Sequence, residues 1–370
     1  RGSAQHDKRD RDEQRPHCFD LTRDAVVAFF SAMHEKLVDL EPPRIRLANT
    51  PTRGHWLRYG EQLGAKIWIK RDDHTGSELM GNKVRKLEYL MAEAVANDAT
   101  HVLTCGGEQS NHARATAFAA AQLGLKSVLI LRCDDPAHPP ATTGNILLDR
   151  LVGAEIQWIT RPAWRDRNRL LAEAAERVRA AGGRPYVIPE GGSNALGSWG
   201  YVRAAHELAQ DLEGIAAPDH PVTIVYACGS GGTGAGLVLG AKLLSFASRG
   251  IRVAGVAVCD DRAYFTDVIG RICADFEERW QLPVHVTPAD IDILDAHVGL
   301  GYAKSRPEEL ATIGEVCRTD GVVLDPVYTG KAFHGVVTEL RRDPKRFGSA
   351  VAFVHTGGLY GLFGMPNPPW

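Results

Sequence analysis

Little in this chain points to metal, membrane or disulfide chemistry. Its seven cysteines (Cys18, Cys105, Cys133, Cys228, Cys259, Cys273 and Cys317) are odd in number and widely scattered. They form no C-x-x-C pair and no zinc spacing, which argues against a metal site and a disulfide scaffold. Cys105, Cys133, Cys228 and Cys259 lie in or at the ends of apolar runs, and read as small buried residues in a reducing compartment. No window of eighteen apolar residues exists, so no membrane span is expected. A net charge of −2 over 370 residues gives no general pull toward nucleic acid or membrane. The opening stretch, "RGSAQHDKRDRDEQRPH" (1–17), is charged and lacks the apolar segment of a secretory signal. It reads as a disordered arm, and a cytoplasmic location is the default expectation.

What is present is an ordinary globular composition, 44% hydrophobic and 24% charged, long enough for two or three domains. "AVVAFFSAMHEKL" has helical spacing, and "EPPRIRLANTPTRG" reads as irregular. "AKIWIKRDD" alternates like a strand. A pattern of apolar strand, glycine turn and Ala/Leu-rich helix then recurs. "HVLTCGG", "SVLILR", "AEIQWIT", "RPYVIPEGG" and "VTIVYACGSGG" each lead into a helical stretch, "RVAGVAVCD" follows, and "AVAFVHTGG" closes the series. Such alternation argues for an α/β fold with mostly parallel sheets covered by helices. Ligands of such sheets sit beyond the carboxyl ends of the strands, so the turns carry the information.

Three turns stand out. In "ACGSGGTGAG" (227–236), successive glycines let backbone N–H groups converge on an anion at a helix start. Phosphate is the natural guest, with Ser230 and Thr233 adding hydroxyls. No Lys-Ser/Thr follows the glycines, which excludes a nucleotide-hydrolysing P-loop. Gly229, Gly231 and Gly234 also match G-x-G-x-x-G, with Asp260 ending the next strand, so a dinucleotide-dependent oxidoreductase stays open at this point. Glycines kept only for tight helix–strand packing are the plainer reading. In "CGGEQSNHAR" (105–114), Ser110 or Asn111 suits a helix N-cap, and the same helix start suits a carboxylate. In "GNKVRKLEY" (81–89), Lys83, Arg85 and Lys86 crowd three basic groups at a helix start. Either they form a solvated basic face, or the crowding holds Lys83 as a nucleophilic amine while Lys86 holds phosphate. An amine, a phosphate cradle and a carboxylate cradle together describe pyridoxal phosphate and an amino acid.

The chain resembles the D-cysteine desulfhydrase and 1-aminocyclopropane-1-carboxylate (ACC) deaminase family, pyridoxal-phosphate enzymes of the tryptophan-synthase-β fold (fold type II). The segments that carry the resemblance are "RDDHTG", "GNKVRKLEY", "QSNHARATA", "GNILLDRLVGAEI", "IPEGGSNALGSWGY", "GSGGTGAG", "GYAKSRPEE", "LDPVYTGKA" and "FVHTGG". They run in family order from about residue 40 to the end. The resemblance implies two domains, each an open, mostly parallel sheet covered by helices. The large cofactor-binding domain is expected at 18–86 plus 197–370, the small one at 87–196, and the assembly as a homodimer.

It also implies roles. Lys83 matches the Schiff-base lysine, Asn111 the contact to the cofactor's ring hydroxyl, and Ser110 the serine at the substrate carboxylate, with His112 beside it. Gly229, Ser230, Gly231, Gly232 and Thr233 match the phosphate loop, with Lys86 next to it. Tyr302 and Tyr328 match two active-site tyrosines. The turn Gly191, Gly192, Ser193, Asn194 matches one near the site and receives no chemical step. Where the deaminase pattern has Glu facing the pyridine nitrogen, this chain has Thr329, as the desulfhydrases do, and they share Thr356 of "HTGG". Either hydroxyl is a candidate for the nitrogen, Thr356 first. A neutral hydroxyl makes a weaker electron sink than a carboxylate, which suits loss of a good leaving group from Cβ better than opening of a cyclopropane.

The expected reaction is therefore β-elimination, with D-cysteine giving pyruvate, hydrogen sulfide and ammonia. Lys83 takes the Cα proton as general base, and Tyr302 or Tyr328 protonates the departing sulfur. ACC deamination is the nearest alternative, followed by elimination from L-cysteate or β-chloroalanine. An oxidoreductase, or a ligand-binding protein without catalysis, leaves Lys83 and its motif unexplained. Departures from the family pattern are Glu78, Leu79 and Met80 before the site, Gly232 in place of Ala, and Gly234 in place of His.

Overall fold

A six-stranded sheet and a four-stranded sheet carry the fold. The structure, a computed structural model, describes residues 40–282 and 284–370. The expected arm at 1–17 and the helical spacing of "AVVAFFSAMHEKL" lie outside the described residues.

The strands are β1 (Gly54–Leu57), β2 (Ile67–Lys70), β3 (His101–Gly107), β4 (Lys126–Cys133), β5 (Glu155–Thr160), β6 (Pro185–Val187), β7 (Val222–Cys228), β8 (Ile251–Ala257), β9 (Asp292–Leu294) and β10 (Ala350–Val354). The larger sheet has the order β1-β2-β10-β7-β8-β9 and the smaller β5-β4-β3-β6. All pairs are parallel except β1–β2. The helices are α1 (Asn82–Ala96), α2 (Asn111–Gln122), α3 (Gly144–Leu151), α4 (Arg167–Ala180), α5 (Ala195–Asp211), α6 (Gly232–Leu243), α7 (Arg262–Trp280), α8 (Pro307–Asp320), α9 (Thr329–Arg342) and α10 (Leu359–Leu362). The expected repeats of strand, turn and helix are therefore present from β3 to β8. The stretch from 262 to 349, which the sequence pattern left unassigned, holds α7, β9, α8 and α9. The two expected domain limits, 86/87 and 196/197, fall inside α1 and α5.

β2 shows why alternation misleads in a covered sheet. Its pattern reads as one buried and one wet face, yet all four residues are buried. Lys70 is buried because its Nζ meets Glu207 at 3.2 Å and Asp211 at 2.5 Å. The core on one face of this sheet joins Val225, Val351 and Phe353 with Phe333, Val336 and Val337 of α9. On the other, α1, α5 and α6 pack backbone to backbone. A Cβ on Gly200 of α5 would lie 2.5 Å from the Arg85 carbonyl of α1, and one on Gly236 of α6 would lie 2.4 Å from the Ser198 carbonyl. Those close approaches bring the starts of α1 and α6 together. No helix among the described residues is long and apolar enough to cross a membrane. The six described cysteines are free thiols.

Candidate active site

The start of α1 is built from three successive side-chain choices. Gly81 has φ 105, and a Cβ there would lie 2.7 Å from the Thr356 carbonyl, so only glycine fits without strain. The Asn82 backbone N–H donates to that carbonyl at 3.1 Å. The Asn82 amide donates to Thr233 Oγ1 at 3.0 Å. The lysine that follows is thus fixed between the turn after β10 and the glycine turn after β7.

Lys83 opens into a cavity at the carboxyl ends of β3, β7 and β10. Its lining includes Asn82, Lys83, Ser110, Asn111, His112, Glu190, Ser230 and Thr233, with Tyr302, Tyr328 and Thr356. No hydrogen bond or ion pair holds the Lys83 amine among the described residues. Burial lowers its pKa to about 8, and the nearby Glu190, Cys228 and Asp325 oppose that shift. The expected cause, repulsion by Arg85 and Lys86, is not the operative one.

Arg85 is turned away. It is buried and clamps two carboxylates, Asp72 through Nε at 2.9 Å and Nη2 at 2.7 Å, and Glu207 through Nη1 at 2.8 Å and Nη2 at 2.9 Å. Lys86 is fully buried as well and does not line the cavity. Its Nζ donates to the Gly191 carbonyl at 3.2 Å and reaches Ser193 Oγ at 3.4 Å. Burial first, and then the charge of Lys83, hold its pKa well below the ordinary lysine value. Lys86 therefore lies behind the cavity and does not line it, a correction to the direct phosphate contact expected from the sequence. Three residues along a helix carry a side chain back to the same side but one turn deeper, here beneath the Glu190–Gly192 turn. Ser193 Oγ in turn accepts from the Gly232 N–H at 3.2 Å and lies 2.9 Å from Ser230 Oγ.

The glycine turn serves packing and cavity together. Gly231 has φ 84, and a Cβ on Gly229 would meet the Tyr328 ring at 2.9 Å. Gly234, where the family pattern has His, lies over Tyr226, whose hydroxyl would be 2.2 Å from a Cβ. Gly229, Ser230, Gly231 and Thr233 line the cavity, whereas Gly232 faces Ser193. The first-turn N–H groups of α6 have no intrahelical acceptor, which makes the turn an anion cradle.

On the facing sheet, Ser110 caps α2 by accepting from the Ala113 N–H at 3.1 Å. Ser110 also lines the cavity. His112 bonds Thr104 Oγ1 through Nε2 at 2.8 Å. Burial, then Lys83 and Lys86, drive its pKa well down, so the imidazole is neutral. Tyr302 and Tyr328 bring their hydroxyls within 2.9 Å of each other. Burial raises both pKa values, so both are protonated.

The two threonines part company. Thr356 lines the cavity. Thr329 is fully buried and does not. Its hydroxyl donates to Asp325 Oδ1 at 2.7 Å and accepts from the Asp325 N–H at 2.8 Å. Thr329 is thus removed as a direct ring contact, because both roles of its hydroxyl are spent on starting α9. Glu78, Leu79 and Met80 also stay out of the cavity lining. Glu190 was missed by sequence reasoning; its carboxylate lines the cavity, pairs with Arg167 at 3.1 Å and has its pKa raised by burial. The acid in "IPEGG" was the available signal.

Asp149 of α3 gives a pH test. It is fully buried, and neither carboxylate oxygen has a hydrogen-bond partner among the described residues. Burial pushes its pKa from 3.8 to about 7, against the pull of Arg114. A raised acid pKa favours the neutral form in the native state, so its stabilisation is complete below 3.8 and is lost as pH rises through about 7. Asp149→Asn should therefore raise stability above pH 7 by on the order of 2–4 kcal/mol and leave it little changed at pH 3. Urea midpoints across that range check this, and equal effects at both ends would refute it.

A lysine of lowered pKa facing an anion cradle and a carboxylate cradle, on this two-sheet fold, defines a pyridoxal-phosphate enzyme of fold type II. The profile of the pyridoxal-phosphate dependent enzymes matches residues 45–357. A bifunctional D-cysteine desulfhydrase/1-aminocyclopropane-1-carboxylate deaminase of Arabidopsis thaliana, described as mitochondrial, is 44% identical over 327 residues, 86% of this chain and 78% of that protein. A putative ACC deaminase of Thermotoga maritima is 42% identical over 323 residues, 86% of this chain and 97% of that one. A solved structure of an ACC deaminase homologue superposes with a TM-score of 0.79 at 36% identity, covering 90% of this chain and 96% of that one. Maize serine racemase, at 16% identity and a TM-score of 0.58 over 89% and 93% of the two chains, shares the fold. The chain belongs to the pyridoxal-phosphate dependent enzymes, in the D-cysteine desulfhydrase/ACC deaminase family. Its cofactor is pyridoxal phosphate.

The residues fit that group. A side chain at Gly229 would press on the Tyr328 ring, one at Gly231 would be strained by its positive φ, and the Lys83 amine has no protein partner among the described residues. With the family established, the oxidoreductase reading of G-x-G-x-x-G is set aside.

Proposed function

We propose that this enzyme eliminates a thiolate from Cβ of a small amino acid, with D-cysteine first, giving pyruvate, sulfide and ammonia. In this reading Lys83 anchors the cofactor and moves the Cα proton. Ser110 and the first-turn N–H groups of α2 hold the substrate carboxylate. Ser230, Thr233 and the glycine turn hold the phosphate, with Lys86 supporting them through Ser193. When bound, pyridoxal phosphate supplies an electron sink for the Cα bond pair.

The observation that carries the elimination is the hydroxyl pair of Tyr302 and Tyr328, 2.9 Å apart in the cavity. A protonated phenol backed by a second one can deliver a proton to a departing thiolate and be reprotonated by its neighbour. Thr356 supports the same reading, because a neutral hydroxyl at the ring nitrogen favours departure of a good leaving group over cyclopropane opening. A second reading, ACC deamination, is favoured by the name of the Arabidopsis relative. D-stereochemistry, the homodimer and the cytoplasmic setting rest on the resemblance and the composition.

The test is a release assay on D-cysteine, L-cysteine, L-cysteate and ACC, reading pyruvate and 2-oxobutyrate. D-cysteine should be fastest, and Tyr328→Phe should lower its kcat by about 10²-fold or more. ACC turnover at a comparable rate would replace the elimination reading with the deaminase one.

A further inference from the structure

Asn111 stands at the end of a hydrogen-bond chain with a fixed direction. The chain starts at Arg114, whose Nε donates to Asn145 Oδ1 at 3.1 Å. A guanidinium has donors only, so the atom of Asn145 that faces it must be the oxygen. The other side is fixed independently. The Asn145 side-chain nitrogen donates to the Gln109 backbone carbonyl at 3.1 Å, and a carbonyl only accepts. The Asn145 backbone N–H donates to Gln109 Oε1 at 2.8 Å, and Gln109 Nε2 donates to the Thr143 carbonyl at 3.1 Å. Arg114 and Asn145 are both fully buried, so water offers them no alternative.

With both sides anchored, Asn145 Nδ2 donates to Asn111 Oδ1 at 3.0 Å. The Asn111 oxygen is thereby taken. Its NH2 group has no partner among the described residues, and Asn111 lines the cavity. An unrestrained amide presents its oxygen or its nitrogen with almost equal shape. Here the direction set at Arg114 decides which.

We propose that Asn145 is a positioning residue that makes Asn111 a hydrogen-bond donor toward the cavity, and so fits the site to an ionised ring hydroxyl. The proposal rests on the reading of Asn111 as the contact to that hydroxyl. A donor there holds an oxyanion by a charge-assisted bond, whereas a flipped amide would set its carbonyl against it. Asn145→Asp is the sharp variant. It keeps the shape and an acceptor for Arg114, but as a carboxylate it can donate neither to Gln109 nor to Asn111.

The experiment compares holoenzymes of the wild type, Asn145→Asp, Asn145→Ala and Asn111→Ala at one mildly alkaline pH. It reads the ratio of ionised to protonated ring-hydroxyl forms in the absorption of bound pyridoxal phosphate, and the cofactor dissociation constant by dialysis. Asn145→Asp should move the ratio toward the protonated form and raise the dissociation constant by about tenfold or more. Asn145→Ala should move both in the same direction but less, and carries the test if Asn145→Asp does not fold. A lower melting temperature with an unchanged ratio in both Asn145 variants, while Asn111→Ala shifts it, would make Asn145 merely structural and overturn the proposal. An unchanged ratio in Asn111→Ala would instead sink the reading of Asn111, and the proposal with it.

Discussion

Replacing Lys83 by alanine should lower turnover by more than about 10³-fold, because a covalent anchor and a general base go together. The protein should still fold, since no hydrogen bond or ion pair of the described residues ends on the Lys83 amine. Cofactor should bind through its phosphate contacts alone and be lost on dialysis. Borohydride should fix cofactor to the wild type and leave the variant unlabelled. In the cofactor-free wild type, reaction of Lys83 with a small amine reagent should rise through about pH 8, the value to which burial lowers its pKa. A variant that keeps near-wild-type turnover and a borohydride-fixable cofactor would remove Lys83 from the chemistry.

Two residues along the same helix, the effect should be on stability. Arg85→Met should destabilise the protein by about 3–5 kcal/mol, since it strands two buried carboxylates. Asp72 is fully buried, and besides Arg85 it accepts from Thr52 Oγ1 at 2.7 Å and Tyr201 Oη at 2.6 Å. Burial works against its charged form, but the Arg85 charge and these hydrogen bonds outweigh it, and its pKa lies below 3.8. A lowered acid pKa gives stability that is present above 3.8 and lost as pH falls through the folded-state value. Acid unfolding of the wild type should therefore steepen below that point, and the steepening should vanish in Arg85→Met. Arg85→Lys should recover only part of the loss, because an ammonium cannot bond two carboxylates in a fork. Chemical denaturation at neutral pH gives the magnitude. A change under about 1 kcal/mol would mean the network is solvated and of little consequence.

The parts of the site that were legible in the sequence are those settled by a few adjacent residues. A helix start after Gly81 requires only local backbone geometry, and so does the Ser110 cap of α2. The glycine turn after β7 announces itself because five of its ten residues (227–236) are glycine. The α/β class was equally readable, since strand, glycine turn and helix repeat at short range from β3 to β8.

The direction of side chains was not legible. Arg85 and Lys86 sit beside Lys83 in the chain, yet one is drawn toward Asp72 and Glu207 and the other beneath Gly191. Thr329 and Thr356 were both candidates, Thr356 first, and only the structure shows that Asp325, four residues before Thr329, occupies the Thr329 hydroxyl. Glu190 gained its meaning only when β6 placed its turn against the cavity. The sequence by itself determined which backbone turns can hold an anion and an amine, because φ, caps and helix ends are properties of neighbouring residues. Tertiary structure alone decided which groups face the cavity and which are buried behind it, because burial and charge pairing depend on residues such as Glu207, brought from 122 positions away.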